Sequence, residues 1–135
     1  MAKSKKDYTY AVGRRKSASA RVRLHKGKGE NIVNGMDFLK YFPGEVSKVK
    51  LEMPFKVTDT LGKYYVTARV VGSGKQSQLE AITLGIARSL SLLEGKNFRG
   101  VLKTAGLLTR DARIRERRKV GMGGKARRKK QSPKR

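Results

Sequence analysis

The chain is expected to fold as α/β (α+β), a small two-layer domain in which a mostly antiparallel or mixed sheet packs with two main helices. A long extended basic C-terminal tail follows it. Three observations predict this. The stretches Ala18–Leu24 and Tyr64–Val70 alternate apolar and polar side chains, the period of a half-buried strand. The stretch SQLEAITLGIARSLSLLEG repeats apolar residues at helical spacing. Residues 110–135 hold thirteen basic residues against two acidic, a net +11, with few apolar side chains to bury.

The elements follow in order. Residues 1–7 form a basic N-terminal extension, residues 8–109 the globular domain and residues 110–135 the tail. Tyr8–Val12 is a first apolar stretch, and Gly13-Arg14-Arg15-Lys16-Ser17 is a basic loop after it. In the next strand Ala18, Ala20, Val22 and Leu24 point one way, and Ser19, Arg21 and Arg23 make the other face cationic. Ile32-Val33 and Asn34-Gly35 predict a hairpin. Asp37 is placed to cap a short helix, Phe38–Phe42, stopped by Pro43. A second helical pattern, with Val46, Val49 and Met53 in register, ends at Pro54. Tyr64, Val66, Ala68 and Val70 alternate with Tyr65, Thr67 and Arg69 in the strongest strand of the chain. Ser77 and Glu80 have the form of a capping box for the long helix, whose inner face is Leu79, Ile82, Ile86, Leu90 and Leu93. Gly95 suits its C-terminal stop, and a last helix, Phe98 to Ala105, closes at Gly106. Two helices on such a sheet bury both faces in a two-layer domain.

Composition narrows the chemistry. There are 34 Lys and Arg against 10 Asp and Glu, a net charge of +24. Solubility asks for only about 2–8 units, so the surplus implies a polyanion as partner. Binding to it should weaken steeply as salt rises. There is no Cys, which excludes disulfides, thiolate metal sites and a Cys nucleophile. His25 is the single His, with no second His beside which to ligate a metal. Neither a metal nor a cofactor is expected. No apolar run approaches the ~20 residues that span a bilayer, so no membrane partner is expected. The opening MAKSKKDYTY has no apolar segment of the secretory kind.

Gly72-Ser73-Gly74-Lys75, between a strand and a helix, invites comparison with a phosphate loop. The full motif needs a Gly five residues before Gly74 and a Ser or Thr after Lys75; the chain has Arg69 and Gln76 there. Nucleotide hydrolysis is therefore not expected, and the stretch reads equally as a phosphate-holding helix start or a plain turn. No nucleophile–base pattern gathers around His25, whose ordinary reading is an exposed or RNA-facing side chain. Three adjacent cations, Arg14, Arg15 and Lys16, repel one another in water and favour phosphate over a merely solvated loop. The Tyr and Phe residues mostly fit core positions, and no aromatic stacking motif of the RNP kind is visible.

The tail on its own reads as a solvated, disordered basic arm. Fully extended at ~3.3 Å per residue it would reach roughly 85 Å, against a radius of gyration near ~13 Å for the body. Asp111 and Glu116 could pair with basic residues one turn away and start a helix. Gly121, Gly123 and Gly124 would end it.

The stretches GRRKSASARVRL, VVGSGKQSQLEAITLGIARSL and AGLLTRDARIRERRKVG, then KARRKKQSPKR, resemble small-subunit ribosomal protein nine of the bacterial or organelle-encoded type. The likeness runs in order from about Tyr8 to Arg135. The family's glycine-rich loop usually ends Gly-Gln-x-Gly-Ala, where this chain has Ser77-Gln78-Leu79-Glu80-Ala81. The resemblance implies a structural, non-enzymatic constituent of the ribosome, located in the cytoplasm or, if organelle-encoded, in stroma or matrix. It implies a left-handed βαβ crossover in the sheet. The implied partners are ribosomal RNA of the small-subunit head, neighbouring head proteins and the P-site tRNA. Ribosomal RNA would be met by Arg14, Arg15, Lys16, Arg21, Arg23, Lys75, Arg110, Arg113, Arg115, Arg117, Arg118, Lys119, Lys125, Arg127, Arg128, Lys129 and Lys130. The terminal Lys134 and Arg135 would lie against the tRNA near its anticodon loop. The other readings of the same composition are a free nucleic-acid-binding protein, of the nucleoid or RNA-chaperone kind, and an enzyme acting on RNA.

Overall fold

Residues 7–121 are described by a computed structural model. A five-stranded mixed sheet, ordered β1-β2-β5-β3-β4, carries four helices. The strands are β1 (Tyr8–Arg15), β2 (Ala18–Lys26), β3 (Ile32–Val33), β4 (Met36–Asp37) and β5 (Tyr64–Val71). The helices are α1 (Phe38–Tyr41), α2 (Glu45–Val57), α3 (Lys75–Leu93) and α4 (Gly95–Thr104). β1, β2 and β5 pair antiparallel, while β3 runs parallel to β5. A parallel pair needs a crossover, and α1 and α2 supply it.

The alternation in β2 and β5 sets the layers. Ala18, Ala20, Val22 and Leu24 are buried with Val66, Ala68 and Val70. Against them lies α3, whose Leu79, Ile82, Ile86 and Leu90 are buried in the same core. The approach is close because two glycines face each other. A Cβ on Gly13 would sit 1.8 Å from the Ala81 carbonyl oxygen, and one on Gly85 would sit 2.5 Å from Val22 Cγ2. The opposite face of β1, β2 and β5 has no helix over it; Tyr10, Arg14, Arg21, Arg23, Arg69 and Val71 on it are exposed.

Several local expectations are corrected. Gly13 to Arg15 is not loop but the end of β1, leaving Lys16 and Ser17 to make the turn. Pro54 lies inside α2 rather than ending it, and the face buried is Leu51, Pro54 and Phe55. Val46, Val49 and Met53 are solvent-exposed, Val46 at 70%. α3 begins two residues before Ser77, which is buried, and neither Ser77 nor Asp37 makes a side-chain capping bond. Gly95 opens α4 instead of stopping α3. Of its expected inner face, Leu102 is buried and Phe98 half-buried, while Val101 and Ala105 are exposed. Residues 110–119 form neither helix nor strand, so the helical start at Asp111 is not made.

Candidate nucleic-acid interface

The topology gathers basic segments far apart in sequence at one end of the sheet. β1 runs to Arg15, β2 starts at Ala18, and antiparallel β5 ends opposite β2's start, with Ser19 facing Val71. The turn Gly72-Ser73-Gly74 therefore lies beside the turn Lys16-Ser17. Their contact is tight: a Cβ on Gly72 (φ +83°) would come within 2.5 Å of the Ser17 carbonyl oxygen. Only glycine combines that φ with that proximity.

Arg15 ties a third segment to this end. Its side chain is nearly buried at 9% residue exposure. Its Nε donates to Glu80 Oε2 at 2.6 Å, and its Nη2 lies 3.5 Å from Asp111 Oδ2. Its Nη1 also donates to the Arg113 carbonyl. Asp111 in turn accepts from the guanidinium of Arg113, at 2.7 Å, and from its backbone N–H. A strand end, the long helix and the start of the tail are thus joined by one guanidinium. The hydrogen bonds from Arg113, with Arg15 beside them, hold the Asp111 carboxyl well below the usual carboxylate range.

That shift has a sign. A depressed folded-state value means the clamp contributes fully above the ordinary value of about 3.9 and is lost only as pH falls through the lower folded value. Titration of the Asp111 carboxyl by NMR should therefore show a midpoint well below about 3.9. An ordinary midpoint would show that the clamp does not form in solution.

The cations expected to meet RNA fall into distinct environments. Arg14 and Lys16 are exposed at the β1–β2 turn. Arg15 is engaged within the molecule, which leaves Arg14 and Lys16 as the exposed cations of this cluster. Arg21 and Arg23 project from the open sheet face. The Lys75 ammonium sits 3.2 Å from the centre of the Tyr41 ring, a cation–π contact at the start of α3. The Tyr41 hydroxyl donates to Gln78 Oε1, whose amide donates to the Gly72 carbonyl, so the turn is braced from inside. Arg110, Arg115, Arg117, Arg118 and Lys119 are exposed, and Arg113 is exposed while held by Asp111. Lys125, Arg127, Arg128, Lys129, Lys130, Lys134 and Arg135 lie outside the described residues.

Sequence reasoning missed three features. Arg69 stands directly opposite Arg21 across β2 and β5. His25 is half-buried between two tyrosines, 4.8 Å from the Tyr65 ring and 5.7 Å from the Tyr8 ring. Tyr8, Tyr10 and Tyr65 lie on the open face rather than in the core, whereas Tyr64 is half-buried and packs against it. Part of the signal lay in the alternation, since Thr67 and Arg69, two and four residues beyond Tyr65 in β5, share its face. Among the described residues no group of acids and His could hold a metal ion, and no helix is long and apolar enough to cross a membrane.

Comparison with known proteins is consistent in direction. A family profile described as ribosomal protein S9/S16 matches residues 13–135. The small ribosomal subunit protein uS9 of Renibacterium salmoninarum is 49% identical over 112 residues, 83% of this chain and 67% of that protein. That of Leifsonia xyli subsp. xyli is 50% identical over 112 residues, with the same shares. That of Maridesulfovibrio salexigens is 45% identical over 119 residues, 88% of this chain and 91% of that protein.

Proposed function

The chain belongs to the ribosomal protein S9/S16 family, and on that premise we propose how a structural, non-enzymatic constituent of the small ribosomal subunit uses this fold. The body holds ribosomal RNA of the subunit head, and the tail carries cations onward to the P-site tRNA. One observation carries the reading. The turns at Lys16-Ser17 and Gly72–Lys75 meet at the end of the sheet from which Arg15 holds the base of the tail. The cations there, exposed Arg14 and Lys16 with Lys75, form a sequence-independent grip on phosphates. The tail starts from that grip, so RNA bound at the body sets where the tail begins.

The division of labour follows from screening. At physiological salt charges act over ~8 Å, so the body cannot hold a tRNA tens of ångströms away. The charge has to be delivered, and the basic tail carries Lys134 and Arg135 well beyond the body in sequence. Phosphate contacts position a partner without reading its sequence, which suits a site that accepts every tRNA. The tail cations from Arg110 to Lys130 would meet ribosomal RNA along the route.

Replacing Lys134 and Arg135 with Ala should leave subunit assembly intact and weaken P-site tRNA by about 1–3 kcal/mol, the range for charge-assisted hydrogen bonds. Dissociation of tRNA from purified small subunits measures it. Unchanged dissociation from subunits that still contain the protein would remove the tRNA contact from the reading. The same preparation separates a ribosomal constituent from a free nucleic-acid-binding protein. The constituent stays with the subunits through a high-salt wash, whereas the free protein is found coating DNA or RNA at large.

A further inference from the structure

The turn end of the sheet leaves a second basic surface unexplained, the open face of β1, β2 and β5. The register aligns its residues in rows across the three strands: Tyr8–His25–Tyr65, Tyr10–Arg23–Thr67 and Val12–Arg21–Arg69. Arg21 and Arg69 are directly opposite, an arrangement that costs stability when both are charged. Among the described residues, no carboxylate lies within salt-bridge distance of Arg21, Arg23 or Arg69; the acids that pair at all do so with Arg15, Lys56 and Arg113. Beside them Tyr10 is 45% exposed. Among the described residues its ring has neither an aromatic partner nor a cation over it. The face is concave. A hollow of about 560 Å³ runs over Tyr10, Arg21, Arg23, Thr67 and Arg69, walled on one side by the β3–β4 turn at Asn34-Gly35.

We propose that this open face is a subsite for an unpaired RNA nucleotide, with its phosphate between Arg21 and Arg69 and its base stacked on Tyr10. The inference rests on the reading of the chain as an RNA-binding constituent of the small subunit and adds the kind of RNA it takes. Charge complementarity selects the class of partner: two arginines paired across neighbouring strands, with no carboxylate partner among the described residues, are relieved by a phosphate bound beside them. The accessible ring selects single strand over duplex, because a base within a helix has both faces covered by its neighbours. The hollow has the size of a small-molecule pocket, in the range of roughly 300–1,000 Å³. The neighbouring row is already filled, since His25 stacks on Tyr65 with the rings inclined by 12°. The Tyr65 and His25 rings are thus taken up by one another, and Tyr10 is the free platform.

The test uses the full chain and a short oligouridylate carrying iodouridine. Irradiation should attach the RNA to the peptide containing Tyr10. Unlabelled single strand should compete, and a duplex of the same length should compete much less. Arg21→Gln with Arg69→Gln should weaken this attachment about tenfold or more, as loss of charge-assisted hydrogen bonds does. Both side chains are exposed, so the double variant is expected to fold. Tyr10→Leu should lower the affinity for single strand roughly five- to hundredfold, and Tyr10→Phe should restore it. Attachment confined to other peptides, or equal competition by duplex, overturns the subsite and leaves the RNA-binding reading intact. Absence of RNA attachment anywhere on the chain overturns both.

Discussion

Gly13→Ala is expected to lower the stability of the body by about 3 kcal/mol or more. Ordinary overpacking costs about 1–3 kcal/mol because side chains shift to make room. Here the obstacle is backbone: the Ala81 carbonyl oxygen at 1.8 Å and the Gly85 nitrogen at 2.6 Å from the added Cβ. Relief requires β1 and α3 to separate, which would open the core around Val22, Ile82 and Ile86, all fully buried. Urea unfolding of the isolated protein measures the effect. Gly100→Ala is the control. It lies inside α4 with nothing within 4 Å of an added Cβ, so removing a helical glycine should stabilise by about 0.5–1 kcal/mol. A Gly13→Ala protein as stable as its parent would mean that the helix does not approach the sheet this closely.

Arg15→Ala should cost about 2 kcal/mol and release the base of the tail. Breaking a fully buried ion pair costs about 3–5 kcal/mol. The partners Glu80 and Asp111 are about one-third exposed, so water recovers part of that loss. Thermal unfolding reports the stability, and limited proteolysis near Arg110 reports the release. Arg14→Ala is the contrasting substitution. Its side chain is exposed and makes none of the ion pairs among the described residues, so its effect should stay within about 0.5 kcal/mol. Equal stabilities for the two variants would remove Arg15 from its place as the clamp.

The periodic elements were legible in the sequence, and their reasons are local. Ala18–Leu24 and Tyr64–Val70 alternate because one face of each strand meets α3. The inner face of α3 was found through Leu79 to Leu90 for the same reason. α2 departs from its local pattern, because proline ordinarily stops a helix and here does not. Pro54 lies within α2, three residues before its end and fully buried, and its carbonyl accepts from Thr58 Oγ1 at 2.9 Å. A helix ending before Pro54 would bury Val46, Val49 and Met53; the longer helix buries Leu51, Pro54 and Phe55 and leaves those three exposed. The local spacing makes Glu80 a capping residue, yet its partner Arg15 is 65 positions away. Such pairings depend on which strands neighbour one another, and local spacing does not carry that. The same limit hid Tyr10, Arg21 and Arg69, which share a surface only after β1, β2 and β5 have been placed side by side. Cations were easy to count, but their division into those engaged inside and those free outside required the fold.

The position of β1 at the border of the sheet has a consequence for the protein before it meets RNA. Eight residues of strand pair on one side only, long enough to template a strand from another copy. Arg88 occupies part of that border by donating to the Val12 carbonyl at 2.8 Å. Arg14 and Lys16 put exposed positive charge at its end, and the chain as a whole carries +24. Two copies approaching edge to edge must bring these like charges together, at a cost that grows as salt is diluted. The charge that suits a polyanionic partner therefore also opposes edge-to-edge association of surplus copies. Neutralising it without supplying an ordered RNA, as a short polyanion would, removes that protection and exposes the β1 edge to self-association.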